Sequence, residues 1–244
     1  MFLTYSNRLI QLDTNKTSQT ADIKDDLVLN LSNKQLRIQE LEILKDSLIK
    51  EKDVKKLDLS NNLFIPQACE KLAFILSHYK QLEYLDLSNN PIRDEGLNTL
   101  APILSKLENL KVLKLNNCRL VNVKNIGKIL ASSKVNHLEI SKNQIELGLN
   151  ELRGDYLNIL IIQENHNIHR RQSLSLAELR KLIAENKNLK IFDISNNQFA
   201  KLQDIQTMQH AHPSLQLVFK DEMPKKVAEL PIDNKSSVAM NRNP

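Results

Sequence analysis

The chain has 244 residues, of which 41% are hydrophobic and 4% aromatic, with a net charge of +5. That length holds one elongated domain with short flanks. No apolar run reaches the roughly 20 residues of a membrane helix, and the N-terminal MFLTYSN is too polar for a secretory signal, so neither a membrane-bound nor a secreted protein is expected. The lysines are scattered rather than arrayed as a stripe interleaved with aromatic rings, which argues against nucleic acid as a partner.

Residues 1–25 read as a loose N-terminal cap, with 2–5 adding a strand. A repeat then occupies 26–220. Its strongest copies are LDLSNN at 57–62, LDLSNN at 85–90 and FDISNN at 192–197. The central apolar position falls at Leu29, Leu57, Leu85, Leu113, Leu138, Leu160 and Phe192, at spacings of 28, 28, 28, 25, 22 and 32 residues. A period of this size means stacked units, each unable to bury its apolar face alone. Leu-x-Leu alternation marks a short strand. Between strands, 66–79 carries Ala68, Leu72, Ala73 and Leu76 at helical spacing, with Pro66 suited to a first turn. The stretch 94–107 repeats the pattern with Leu97, Leu100, Ala101 and Leu104, where Pro102 should kink or shorten the helix. A third helix is expected at 175–185, and 215–219 reads as a closing strand. The tail at 221–244 has three prolines and no periodicity, and is expected to be disordered.

The turn after each strand holds Asn62, Asn90, Asn143, Asn165 and Asn197, with Cys118 once and Lys34 in the first unit. A buried amide there has donors and an acceptor for backbone groups cut off from water, so these asparagines are expected to be structural. Cys118 offers weaker hydrogen bonds and a looser turn. It and Cys69 are the only cysteines, read as free buried thiols of a cytoplasmic protein.

The 28-residue units, the run NPIRDEGLNTLA at 90–101 and the exchange of Asn for Cys at the turn resemble the leucine-rich repeat family, in its helical, ribonuclease-inhibitor-like form. The short fifth and long sixth units depart from its regularity. The resemblance implies an α/β solenoid, a horseshoe with parallel strands on the concave face and helices on the convex one. Spacing gives the same curvature, because strands pair at about 4.8 Å while packed helices need about 8–10 Å.

The residues between the buried leucines should face the concave wall. The column before the central leucine contains Tyr84, Val112, His137, Ile159 and Ile191, and the column after it Asp58, Asp86, Lys114, Glu139, Ile161 and Asp193. An apolar ridge of Tyr84, Ile159, Ile161 and Ile191 beside carboxylates resembles a protein-binding surface. The third column, Ser60, Ser88, Asn116, Ser141, Gln163 and Ser195 among others, reads as bland.

No Gly-rich phosphate loop, nucleophile elbow or zinc helix is present, and His166 and His169 lack further metal ligands. The chain is therefore expected to be a monomeric, non-enzymatic module that binds a partner protein, without metal or cofactor. The basic segment at 166–171 reads as a rim loop of the long sixth unit. An alternative follows from a resemblance to Ran GTPase-activating proteins, which supply an arginine from an inter-repeat loop; Arg93 and Arg119 occupy post-strand turns. The Asn-, Lys- and Ile-rich composition with a polar tail is similar to that of effectors that intracellular bacteria inject into host cells.

Overall fold

A computed structural model describes residues 2–5, 8–11, 13–15, 27–145, 148–165, 176–197 and 202–219. The tail at 221–244 and the basic segment at 166–171 lie outside the described residues. Strands β1 (Phe2–Tyr5) and β2 (Arg8–Gln11) form an antiparallel hairpin of their own. It is β3 (Asp13–Asn15), rather than 2–5, that joins the main sheet, antiparallel to β4 (Leu27–Asn30). A terminal strand of a parallel array has an open row of backbone groups, and this short segment covers it.

The remaining strands follow in chain order: β5 (Val54–Asp58), β6 (Tyr84–Asp86), β7 (Val112–Lys114), β8 (His137–Glu139), β9 (Ile159–Ile161), β10 (Ile191–Asp193) and β11 (Gln216–Val218). All are parallel, and each pairs only with its sequence neighbours. The register places Leu57, Leu85, Leu113, Leu138, Leu160 and Phe192 opposite one another, as the repeat predicts. These six side chains and their upstream partners, Val54 through Leu189, belong to one continuous core.

Helices form the second layer: α1 (Ile38–Leu48), α2 (Cys69–Leu76), α3 (Arg93–Leu104), α4 (Lys124–Ser132), α5 (Leu176–Glu185) and α6 (Leu202–Ala211). Pro66–Ala68 makes a 3-10 turn that leads into α2, so the predicted helix starts with a tighter turn. Pro102 sits in the last turn of α3, which ends at Leu104 rather than continuing to 107. The short fifth unit has a structural counterpart. Among the described residues between β8 and β9, the helical side holds only the 3-10 turn Leu149–Glu151. Cys69 and Cys118 are buried and unpaired, and burial pushes both thiols up to about 12, which leaves them inert at neutral pH.

The asparagine ladder is as predicted. Asn62 donates through Nδ2 to Leu31 O and Leu59 O, both at 2.9 Å, while its Oδ1 accepts from Lys34 N at 3.1 Å and Leu36 N at 3.0 Å. Asn90, Asn143, Asn165 and Asn197 likewise donate to a carbonyl of their own unit and one of the preceding unit. Cys118 manages longer contacts, Sγ to Leu87 O at 3.3 Å and to Asn116 O at 3.5 Å. The residue before each ladder position is left-handed, with φ from 51° to 58° at Asn33, Asn61, Asn89, Asn117, Lys142, Glu164 and Asn196. Asparagine tolerates that region best among non-glycine residues, which explains the first Asn of each Ser-Asn-Asn.

Candidate functional site

The outward face of the sheet is set by period-two alternation, and the register brings its columns together strand by strand. In the first column Tyr84 lies between Lys56 and Val112, and Val112 is opposite His137. Tyr84 and Val112 are half-buried. The Tyr84 hydroxyl donates to Asp86 Oδ2 at 3.3 Å, and Lys114 Nζ stands 5.7 Å from the ring centre. Burial, then the charges of Asp86, Asp58 and Glu139, hold the Tyr84 hydroxyl far above its ordinary value, so it remains a donor.

The rest of the expected ridge is less open than alternation suggests. Ile159 and Ile161 are each 8% exposed, Ile191 5% and His137 6%. Ile159 is opposite Ile191 and two residues from Ile161 on the same face; the three form a small apolar cluster apart from the main core. Strands about 4.8 Å apart press such branched side chains shoulder to shoulder, and each covers its neighbours. The expectation that these four residues are freely exposed is thereby corrected.

Glu139 is also committed within the molecule. Its Oε1 lies 3.0 Å from Lys114 Nζ and 3.0 Å from His137 Nε2, and its Oε2 accepts from Asn116 Nδ2 at 2.8 Å. Burial alone would raise its pKa, but the His137 ring, the Lys114 charge and the Asn116 amide outweigh it and bring the carboxyl down to about 2. Its folded value lies below the ordinary 4.5. The stabilisation is therefore complete above about pH 4.5 and is lost as the pH falls toward 2. Glu139→Gln should cost up to about 3 kcal/mol at pH 7, and the gap to wild type should close in unfolding titrations repeated near pH 2.

Asp58 and Asp86 stand side by side in register, half-buried. Burial raises the Asp86 pKa, against the Ser88 hydrogen bonds that lower it, and the neighbouring Asp58 charge raises it further. Both carboxylates also have a structural task. Asp58 Oδ1 accepts from Ser60 N at 2.9 Å, Asp86 Oδ1 from Ser88 N at 2.8 Å, and the buried Asp193 does the same for Ser195 N at 2.9 Å. This Asp-x-Ser turn closes the strand end.

The third column, read as bland, takes over where the aspartate is missing. Behind Lys114, Asn116 N donates to Ser88 Oγ at 3.2 Å; behind Glu139, Ser141 N donates to Asn116 Oδ1 at 2.7 Å; behind Ile161, Gln163 N donates to Ser141 Oγ at 3.0 Å. These three units borrow an acceptor from the unit before them, whereas in the first unit Asn30 Oδ1 takes the aspartate's place and accepts from Ser32 N at 2.9 Å. Sequence reading missed this, although the complementarity between the second and third columns is a usable signal.

Arg93 and Arg119 are exposed at the strand-to-helix rim. Among the described residues no group of three or more His, Cys, Asp and Glu is placed to hold a metal, and no helix is long and apolar enough to cross a membrane.

Residues 81–101, spanning β6 and most of α3, match the family model described as Leucine Rich repeat. The curated proteins contain no match to this chain. Among solved structures, the crystal structure of an internalin C2 from Listeria monocytogenes is similar at 18% identity over 79% of each chain, with a TM-score of 0.49. Eight parallel strands stacked in register, helices on the opposite layer and an asparagine bonded into five of the seven turns give the chain the fold of an α/β leucine-rich repeat solenoid.

Proposed function

We propose that this solenoid is a non-enzymatic interaction module that docks a partner protein on its concave face, centred on Tyr84 and Val112. The observation that supports this most is a half-exposed aromatic ring on a rigid sheet. Its hydroxyl is held to Asp86, and an aliphatic neighbour stands in register with it. Such anchors supply contact area without much entropy loss on binding. The chemistry specifies the partner further. Asp58 and Asp86 crowd two negative charges into a half-buried strip, so a lysine or arginine of the partner would relieve their mutual repulsion. Glu139, His137, Ile159, Ile161 and Ile191 form the preorganised floor around this contact. Delivery to a host cell as a bacterial effector is a further part of this proposal, supported by composition and tail alone. Export that persists after deletion of 221–244 would remove the tail from it.

Tyr84→Arg/Val112→Glu is the appropriate variant, because Ile159→Glu would bury a charge in the isoleucine cluster. Affinity capture with wild type should recover a specific partner that the double variant loses, at an unchanged unfolding midpoint. Equal recovery by both forms would remove the concave site.

A further inference from the structure

A second surface lies on the rim where strands hand over to helices. Two adjoining hollows of about 520 and 470 Å³ share Arg93, Glu95 and Arg119. One continues past Val121 to Gln144; the other runs to Pro91, Pro66 and Ile65. Together they cross four successive units. The apolar end is open: Ile65 is 45% exposed and the nearby Leu63 39%. The corresponding positions of neighbouring units hold Gln35, Pro91, Arg119 and Gln144, or Arg37, Arg93 and Val121, so the exposed aliphatics are local to this place.

Among the described residues neither guanidinium has an ion-pair partner. Both arginines stand in the left-handed backbone region with φ of 59°, and Arg93 N is bonded to Cys118 O at 2.9 Å, so the loops that carry them are fixed. Of the two carboxylates on the groove, Asp94 is engaged by backbone, its Oδ1 accepting from Val121 N at 3.1 Å and Asn122 N at 3.3 Å. Glu95 is the other. Two unpaired guanidiniums beside an open aliphatic shelf complement a carboxylate next to an aliphatic side chain.

We propose that this rim groove is a second docking site, for an extended acidic-aliphatic peptide segment of a partner. An aliphatic side chain rests on Ile65 and the two prolines while a carboxylate spans Arg93 and Arg119. Four units at about 4.8 Å per strand step, widened toward the helices, accommodate about five or six extended residues. The site shares no residue with the concave contact, so the two proposals fail separately.

The test uses the full chain, isotope-labelled, titrated with a capped hexapeptide alternating leucine and glutamate while backbone amide shifts are followed. Saturable shifts confined to 63–67, 91–95 and 119–121 are expected, weakened about tenfold or more by Arg93→Gln/Arg119→Gln and by Ile65→Ser. These side chains are exposed, and an unchanged unfolding midpoint will show that the variants fold. Absence of saturable rim shifts overturns the proposal. So does an equal response to sodium sulfate or a serine-glutamate hexapeptide, which would show an adventitious ion only. Equal binding of a leucine-lysine hexapeptide also overturns it, by showing unspecific apolar contact.

Discussion

Asn90→Leu should destabilise the protein by about 3–5 kcal/mol, at nearly constant side-chain volume. Asn90 is fully buried, donates to Leu59 O at 3.0 Å, Leu87 O at 2.9 Å and Ser88 O at 3.3 Å, and accepts from Phe64 N at 3.2 Å. Leucine satisfies none of these groups, and each buried one left unpaired costs about 1–3 kcal/mol. Solenoid stability is a chain of nearest-neighbour terms, and Asn90 stitches the second unit to the third. Denaturant unfolding of the variant should broaden or split, and amide exchange should quicken first around 57–92. Asn90→Cys is the informative control. The protein already tolerates a thiol at the next rung, where Cys118 reaches Leu87 O at 3.3 Å. About half of the lost stability should return.

Gly127→Ala carries the second large effect, and there two physical terms oppose each other. Alanine in a helix is favoured over glycine by about 1 kcal/mol. A Cβ at 127, however, would sit 2.3 Å from Glu151 O and 3.0 Å from Glu151 C. The obstacle is backbone, in the 3-10 turn Leu149–Glu151 that replaces a helix in the short fifth unit. That turn is tied by Glu151 N to Gly148 O at 2.8 Å, with Gly148 at φ 87°. Moving it opens the contact between α4 and the fifth unit, so the clash wins and a net loss of about 2–4 kcal/mol is expected. Gly154→Ala is the comparison: its nearest obstacle is a side-chain atom, Leu130 Cβ at 3.2 Å, and the loss should be smaller. Equal midpoints for Gly127→Ala and wild type would show that the turn yields freely.

The fold was legible because the repeat encodes it redundantly. Leu57, Leu85 and Leu113 fall in register at a spacing any reader can count, and Asn62, Asn90 and Asn143 form the bonds their chemistry predicts. The candidate site was legible in placement and only partly in exposure. Alternation tells which face Ile159 and Ile191 take, but not that the strand step lets them cover each other to 8% and 5% exposure. The electrostatic links were hidden for a similar reason. Lys114 and Asn116 reach Glu139 from the preceding unit, 25 and 23 residues away in sequence, and only register reveals them; His137 joins from two residues away on the same strand. The rim groove was legible only in part: Arg93 and Arg119 could be placed in post-strand turns, but the exposed Ile65 that lines the same hollow has no signal linking it to them.

Site-specific photocrosslinking tests the central claim most directly. A benzophenone side chain replaces Tyr84 on the concave face in one form and Phe74 in another, since Phe74 is an exposed aromatic on the helical layer. In lysate of the cell type where the protein acts, the concave probe should trap one discrete protein, competed away by unlabelled wild type, while the convex probe traps none. Crosslinks of that protein from position 74 and none from position 84 would contradict concave docking.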